Sequence, residues 1–174
     1  MSKIGYKLFR VKRGRLFPLY VLSEKETPIG IWLEAEAGEL QANGKVKAKL
    51  GNGLCFRPGW HISSIPLATH IGIKKNGVIV AQHPDTVWCE VEYSDEIDYQ
   101  EKANKNGTNR HGKVIQTKAY LKEIPVNGFY RFKTNPNMFG EWIIAGAIKV
   151  IRVLSNEEVK QICEANGVKA QAVA

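Results

Sequence analysis

The stretch that decides the fold is residues 141–153, EWIIAGAIKVIRV, the most apolar part of the chain. A near-continuous apolar run is typical of strands that are buried on both faces. Gly146 interrupts it, so we predict either a pair of central strands or one long bent strand. The apolar run is shorter than the ~20 residues that a membrane-spanning helix requires, so we predict no membrane segment.

A short helix is predicted directly after this stretch. Ser155 and Glu158 have the spacing of a capping box, in which the serine hydroxyl accepts from the amide three residues on and the glutamate reaches back. The helix should cover residues 156–166, with Gly167 as its stop. We expect flexible ends at 1–4 and 169–174.

Upstream, β-prone runs are separated by turn signals. We predict strands at residues 6–11, 16–22, 29–34, 60–63, 78–81, 87–93, 119–124 and 128–133. Pro18 places the second of these at a sheet edge or next to a bulge. The sequence therefore predicts one domain, 1–174, of the α+β class with mostly antiparallel strands.

Three polar segments interrupt these strands. Residues 35–52 and 134–140 are rich in turn residues, and we expect loops there. Residues 98–112 are a loop or a short exposed helix.

The composition bears on partners and compartment. The chain has 25 basic and 17 acidic residues, a net charge of +8. This favours an anionic partner such as a nucleic acid, a phosphorylated small molecule or an acidic protein. Charge that serves only solubility would look the same. The three scattered cysteines, Cys55, Cys89 and Cys163, favour a reducing compartment, and we predict a cytoplasmic protein.

The sequence lacks the motifs that are typical of several kinds of functional site. The four histidines have no metal-ligand spacing and no nearby cysteine cluster, so we predict no metal. Cys55 and His61 lie in one segment, which is weak support for a nucleophile–base pair. No phosphate-binding glycine motif opens a helix.

One pattern is coherent. Arg10 lies on the first predicted strand, His61 and Ser63 lie on the strand 60–63, and Glu141 opens the central run. An arginine offers a fork of donors to phosphate, and a carboxylate can stabilise an oxocarbenium-like transition state. Each residue also has a plain structural interpretation: a solvated strand arginine, a core histidine and a surface carboxylate.

These segments carry a resemblance. LFRV at 8–11, GL at 53–54 leading to WHISS at 60–64, and EWIIAGAIKV at 141–150 resemble the three signature regions of the ADP-ribosyltransferase superfamily. The resemblance implies two small packed sheets around a central cleft, a short C-terminal helix, and NAD as the substrate that donates ADP-ribose. The sequence also resembles an uncharacterised domain of bacteriophages and large polyvalent mobile-element proteins, which implies a host-cell setting.

The resemblance also assigns roles. Arg10 would hold the dinucleotide phosphates, His61 and Ser63 would contact the nicotinamide-side ribose, and Glu141 would be catalytic. The resemblance implies two catalytic residues, Glu141 and His61. The loop 134–140 would contact the acceptor through Asn135, Asn137 or Phe139.

Three further residues come from the chain itself. Arg57, beside Pro58, is a rival phosphate ligand. Trp60 is either a core residue or a platform for a base. Tyr130 lies in an alternating aromatic-basic segment that could face a nucleic acid, although a charge-protected edge strand has the same pattern.

The chain departs from the superfamily pattern at one position, and this departure leaves two functional expectations open. Phe139 stands where arginine-specific members of the superfamily carry the first glutamate of a Glu-x-Glu pair. We therefore expect transfer to a nucleic-acid, protein or small-molecule acceptor other than arginine. The alternative is a non-catalytic basic module that binds a nucleotide, a nucleic acid or a host protein, such as one of a defence system.

Overall fold

A computed structural model describes residues 2–49 and 51–174, and the side chains of these residues except Ser2. Within them the chain forms twelve strands and two α-helices. The strands are β1 Ser2–Lys12, β2 Arg15–Phe17, β3 Trp32–Glu34, β4 Trp60–Ser63, β5 Ile73–Lys75, β6 Val78–Gln82, β7 Thr86–Ser94, β8 Ile97–Asp98, β9 Gly128–Phe132, β10 Trp142–Ala145, β11 Ala147–Val153 and β12 Ala172–Val173. The helices are α1 Gln100–Asn106 and α2 Asn156–Ala165.

The described strands form two sheets, so the predicted α+β class is confirmed at this level. The larger sheet has nine strands in the order β3-β11-β7-β1-β4-β10-β9-β8, with β2 paired to β1. The smaller has the order β12-β6-β5. Pairing is antiparallel except for β8 with β9 and β12 with β6. The expected number of two sheets is confirmed, but one of them is large rather than small, because the long strands β1 and β7 join most strands into it.

Gly146 organises the larger sheet. It separates β10, which pairs with β4 and β9, from β11, which pairs with β7 and β3. The apolar run is therefore a pair of strands, one of the two predicted forms. Because a single residue joins strands that are far apart in the sheet order, the sheet must fold over on itself. The core lies between the two halves and includes Phe9, Ile62, Val91 and Ile148.

The backbone approaches closely at this point. The amide of Gly146 donates to the carbonyl of Gly128 at 3.0 Å, and its carbonyl accepts from Ala35 at 2.8 Å. A Cβ atom at position 146 would lie 1.9 Å from the carbonyl oxygen of Pro125. Only glycine fits this approach without a backbone shift.

Both helices cover outer faces of the sheet. The predicted capping box is present, with Ser155 Oγ accepting from the amide of Glu158 at 3.1 Å, and α2 packs on Leu8 and Trp88. On another face, α1 packs Ala103 against the cluster that holds Ile144. These layers leave the N-terminal end of β4 as the place where loops gather.

Some elements differ from the sequence-based expectations. The second strand ends at Phe17, because Pro18 has no amide hydrogen for the ladder. Residues 119–124 are not a strand; Ala119 and Leu121 are buried against α1 instead. The segment 35–52 contains no named strand in its described residues, and Leu50 lies outside them.

Both ends of the chain form strand pairs that the sequence did not predict. Residues 2–4 lie within β1, and Ala172–Val173 runs parallel to β6. Met1, part of the first expected flexible end, lies outside the described residues. Flexibility at 1–4 and 169–174 stays a prediction.

Candidate functional site

A cavity of about 680 Å³ lies where the N-terminal end of β4 meets the segment 18–37. Its size falls within the range of ligand-binding cavities, about 300–1,000 Å³. The walls combine aromatic rings with a few charged groups. Its described lining includes Lys7, Tyr20, Trp32, Glu34, Arg57, Trp60, His61, His70, Phe132 and Trp142.

The aromatic rings of the cavity are fixed by hydrogen bonds and ring contacts. The indole N–H of Trp60 donates to the carbonyl of Leu33 at 3.0 Å, and that of Trp142 donates to Thr134 Oγ1 at 2.8 Å. The ring of His61 meets the ring of Trp142 edge-on at 6.4 Å. Rings held in this way offer apolar faces to a ligand at little cost in side-chain entropy.

Lys7 brings a cation to the wall. It lies on β1 opposite Cys89, and its Nζ donates to the carbonyl of His61 at 3.0 Å. The Nζ also lies 5.7 Å from the centroid of the Trp60 ring. Burial lowers the pKa of the Lys7 ammonium to about 8, with the Cys89 thiol opposing the shift. Keeping the Lys7 ammonium charged in this buried position therefore costs folding free energy.

Arg57 is the second cation of the wall. Its guanidinium carbon lies 4.0 Å from the centroid of the Phe132 ring, a close cation–π contact. Its Nε is buried and has no hydrogen-bond partner among the described residues. Burial raises the pKa of the neighbouring Tyr130 hydroxyl to about 12, although Arg57 opposes the shift. Arg57 thus lines the cavity and has one buried donor, Nε, without a partner among the described residues.

His61 is neutral. Its Nδ1 lies 3.2 Å from the carbonyl of Gly59, so Nδ1 carries the hydrogen and Nε2 is the acceptor. Burial, together with the nearby charges of Lys7 and Arg57, lowers the pKa of the imidazole to about 3. The ring can accept a hydrogen bond but does not act as an acid at neutral pH.

This burial predicts a pH effect on stability. As pH falls below the unfolded-state pKa of about 6.5, the unfolded chain gains a proton at His61 that the folded chain excludes. At pH 5 the loss should be about 2 kcal/mol at most. Urea unfolding at pH 7 and pH 5 measures it, and His61→Gln should lose less stability than wild type over this interval. Equal losses in the two proteins would contradict the assignment. His70, whose pKa burial also lowers, supplies a residual slope in both.

The acidic residues of the wall are mostly neutralised. Glu26 pairs with Arg15, and Glu36 pairs with Lys25. Among the residues that the structure describes, no carboxylate pairs with Lys7 or Arg57, and none of the ion pairs includes Glu34. The cavity wall therefore has, among the described residues, two cations without carboxylate partners, Lys7 and Arg57, and one unpaired carboxylate, Glu34 on β3.

Three of the residues chosen from sequence line this cavity: Arg57, Trp60 and His61. Arg10 and Ser63 are not among the lining residues. Arg10 turns to the loop after β2, donating to the carbonyl of Ser23 at 2.5 Å and pairing with Glu24 at 3.2 Å. Ser63 is buried.

Glu141 lies on the other face of the sheet from His61. Cross-strand partners share a face, and Trp142 pairs with Ser63 while Ile144 pairs with His61. Successive residues of a strand point to opposite faces, so Glu141 is directed away from the His61 side. Glu141 instead lines a separate pocket of about 290 Å³. The structure thus does not bring Arg10, His61 and Glu141 together.

The candidate acceptor-binding residues are also apart. Asn135 Oδ1 accepts from the amide of Asn137 at 2.9 Å, which shapes their exposed loop. Phe139 is 60% exposed. Tyr130 is completely buried, because its alternating strand turns that face toward α1, so its ring offers no surface to a nucleic acid.

Lys7 is the functional candidate that sequence reasoning missed. On β1 it shares a face with Gly5 and Phe9, which pack toward the core, whereas Tyr6 and Leu8 occupy the other face. A lysine at an inward position of an apolar strand was the available signal.

Comparisons of the chain with family models, curated proteins and solved structures find no match. In the described part of the chain, neither helix has the length and apolar character needed to cross a bilayer. The same residues contain no group of three or more metal-ligating side chains. What the cavity binds must therefore be inferred from its own walls.

Proposed function

We propose that the protein binds a nucleotide in the cavity beside β4, and that NAD is the first candidate. The observation that carries this proposal is the pair of cations without carboxylate partners, Lys7 and Arg57, on the wall of a cavity with several aromatic rings. Phosphate groups would neutralise these cations, and a base would pack on the rings.

The charges support an anionic ligand. Buried cations are costly unless they are paired, so a wall that keeps two of them unpaired is expected to gain from an anion. A guanidinium also matches phosphate in a bidentate geometry. We assign Arg57 to the phosphate, with Lys7 as the second positive charge.

The remaining wall suits the other parts of a nucleotide. Trp60 and Trp142 are held rigidly, and aromatic faces stack on nucleobases. The neutral His61 has an acceptor nitrogen for a hydroxyl or amino group. Glu34 can accept hydrogen bonds from ribose hydroxyls. A plain apolar ligand would use the rings but leave the cations unpaired.

Binding is favoured over ADP-ribosyl transfer. Transfer by the mechanism that the resemblance implies needs the Glu141 carboxylate at the ribose of a bound NAD. His61 and Trp142 of the cavity wall project from the face of the β4–β10 pair opposite to Glu141, and Glu141 is not among the lining residues. We therefore propose the non-catalytic alternative, a nucleotide-binding module.

The test is titration with NAD+, ADP-ribose and AMP, followed by tryptophan fluorescence and calorimetry. Three of the four tryptophans, Trp32, Trp60 and Trp142, line the cavity, so binding should change their emission. Arg57→Gln should weaken binding about tenfold or more, since a hydrogen bond to a charged group contributes about 1.5–3 kcal/mol.

The matched control is Lys160→Gln, which removes an exposed cation on α2. It should bind as wild type does. Equal affinities of wild type and Arg57→Gln would reject the cavity as the site. Transfer of labelled ADP-ribose from NAD+ to an acceptor by wild type, lost in Glu141→Gln, would instead support the transferase reaction.

A further inference from the structure

One segment around α1 combines several unpaired cations with side-chain amides. Residues 102–122 contain no acidic residue and carry six cations: Lys102, Lys105, Arg110, Lys113, Lys118 and Lys122. All six side chains are exposed, and in the described part of the chain none forms an ion pair. We call residues 102–122 the basic segment.

The basic segment is compact. Tyr120 donates its amide to the carbonyl of Ala103, and the side-chain amide of Asn106 donates to the carbonyl of Tyr120 at 2.9 Å. A bridge between Thr108 and Val114 closes the turn that carries Arg110. Helix α1 and the later part of the segment are thereby held together, so their cations belong to one surface.

A polar pocket of about 290 Å³ lies next to this surface. Its described lining is Gln100, Asn104, Val114, Gln116, Arg131 and Glu141. Arg131 pairs with Asp98 at 3.2 Å, so its charge is already compensated. The Glu141 carboxylate accepts no hydrogen bond from the described residues, although the Glu141 amide donates to Ser64 Oγ at 2.9 Å. The pocket thus offers a free carboxylate between side-chain amides.

We propose that the basic segment binds single-stranded nucleic acid and that the adjoining pocket receives one unstacked guanine. Lysines spaced along one surface match a phosphate backbone. Guanine presents two adjacent N–H donors on its Watson–Crick edge, which a carboxylate such as that of Glu141 can accept together. Asn104 and Gln116 supply amides for the remaining edge. In a duplex this edge is paired, so the pocket requires a single strand.

This inference does not depend on nucleotide binding in the larger cavity. The two sites share no lining residue. Nucleic acid is favoured over an anionic membrane because the surface is interleaved with amide side chains, namely Asn104, Asn106, Asn109 and Gln116. Among the described residues 102–122, Val114 is the one exposed large apolar side chain, which is too little apolar surface to insert into lipid.

The first experiment measures the salt dependence of binding to oligothymidine of about 12 nucleotides, a length within usual single-strand site sizes. The test variant replaces Lys102, Lys105, Lys113 and Lys118 by Gln. The control variant replaces four exposed lysines elsewhere, Lys45, Lys74, Lys75 and Lys160, by Gln and so has the same net charge.

The slope of log affinity against log salt should fall by about 3 in the test variant, because each phosphate contact on a single strand contributes about 0.7. The control variant should keep most of the wild-type slope. Equal slopes in the two variants would overturn the assignment of the surface. So would wild-type binding to anionic vesicles but not to the oligonucleotide.

The second experiment tests the pocket. Placing one guanosine in the oligothymidine should tighten binding by wild type about fivefold or more, fivefold being the lower end of the discrimination expected of a bidentate base contact. Glu141→Gln should remove this preference, so that it binds the guanosine-containing oligonucleotide and plain oligothymidine with equal affinity. A guanine preference that survives in Glu141→Gln would overturn the assignment of the pocket.

Discussion

Gly146→Ala should destabilise the protein by about 3 kcal/mol or more, a large part of the 5–15 kcal/mol that keeps a domain folded. The added methyl carbon would lie 1.9 Å from the carbonyl oxygen of Pro125 and 2.9 Å from the Cα of Val126. Both contacts are backbone atoms. The Pro125 carbonyl is held by the amide of Gly128 at 2.9 Å, so relief would require moving a turn. Urea unfolding followed by circular dichroism gives the free energy of unfolding.

The matched control is Gly112→Ala. Gly112 has φ of +77° and nothing within 4 Å of its added Cβ, so only backbone strain of about 1–2 kcal/mol is expected. Similar losses at positions 146 and 112 would show that the close approach at Gly146 is not the determinant. A much larger loss at 146 would confirm that the close backbone approach at Gly146 is the determinant.

Local features of the sequence predicted much of the fold. The apolar run with its break at Gly146 predicted either a strand pair or one bent strand, and the pair is observed as β10 and β11. The spacing of Ser155 and Glu158 predicted α2. The strand at residues 60–63 was predicted with the bounds that the structure shows, because turn residues flank it in the sequence. These features depend on neighbours in the chain, which the sequence displays directly.

Features set by long-range pairing could not be predicted in this way. Whether Glu141 faces His61 depends on the register of β10 against β4, and a shift of one residue reverses every side chain. The three short motifs around Arg10, His61 and Glu141 indicate the order of the strands along the chain. They do not indicate to which face of the sheet each side chain points. The segment 119–124 likewise follows its contact with α1 rather than its own β-propensity.

The site was partly predictable for the same reason. Arg57, Trp60 and His61 are close in sequence, so one loop and one strand carry them into the cavity together. Lys7 reaches the cavity through pairing of β1 with β4 at a single position, Tyr6 with Ser63. No periodicity within β1 predicts that partner.

Lys7→Met should stabilise the folded protein by about 2 kcal/mol at pH 7 while it weakens nucleotide binding. Lowering the pKa of Lys7 from 10.5 to about 8 corresponds to about 3 kcal/mol, and the solvent in the cavity reduces this figure. Methionine has a similar length, fills the same space and carries no charge. Urea unfolding at pH 7 measures the gain.

The pH dependence identifies the cause of that gain. Between pH 8 and 10.5 the unfolded chain binds more protons than the folded chain at Lys7, so this group makes wild-type stability rise with pH. Lys7→Met lacks the contribution, and its advantage should therefore shrink across this window. Lys45→Met, a change at an exposed lysine, should show no such convergence. If the advantage of Lys7→Met stays constant with pH, it comes from packing and not from charge. A variant that gains stability and loses nucleotide affinity would mark Lys7 as a residue held in the cavity for its charge, because a purely structural residue is not expected to stabilise the fold when it is replaced.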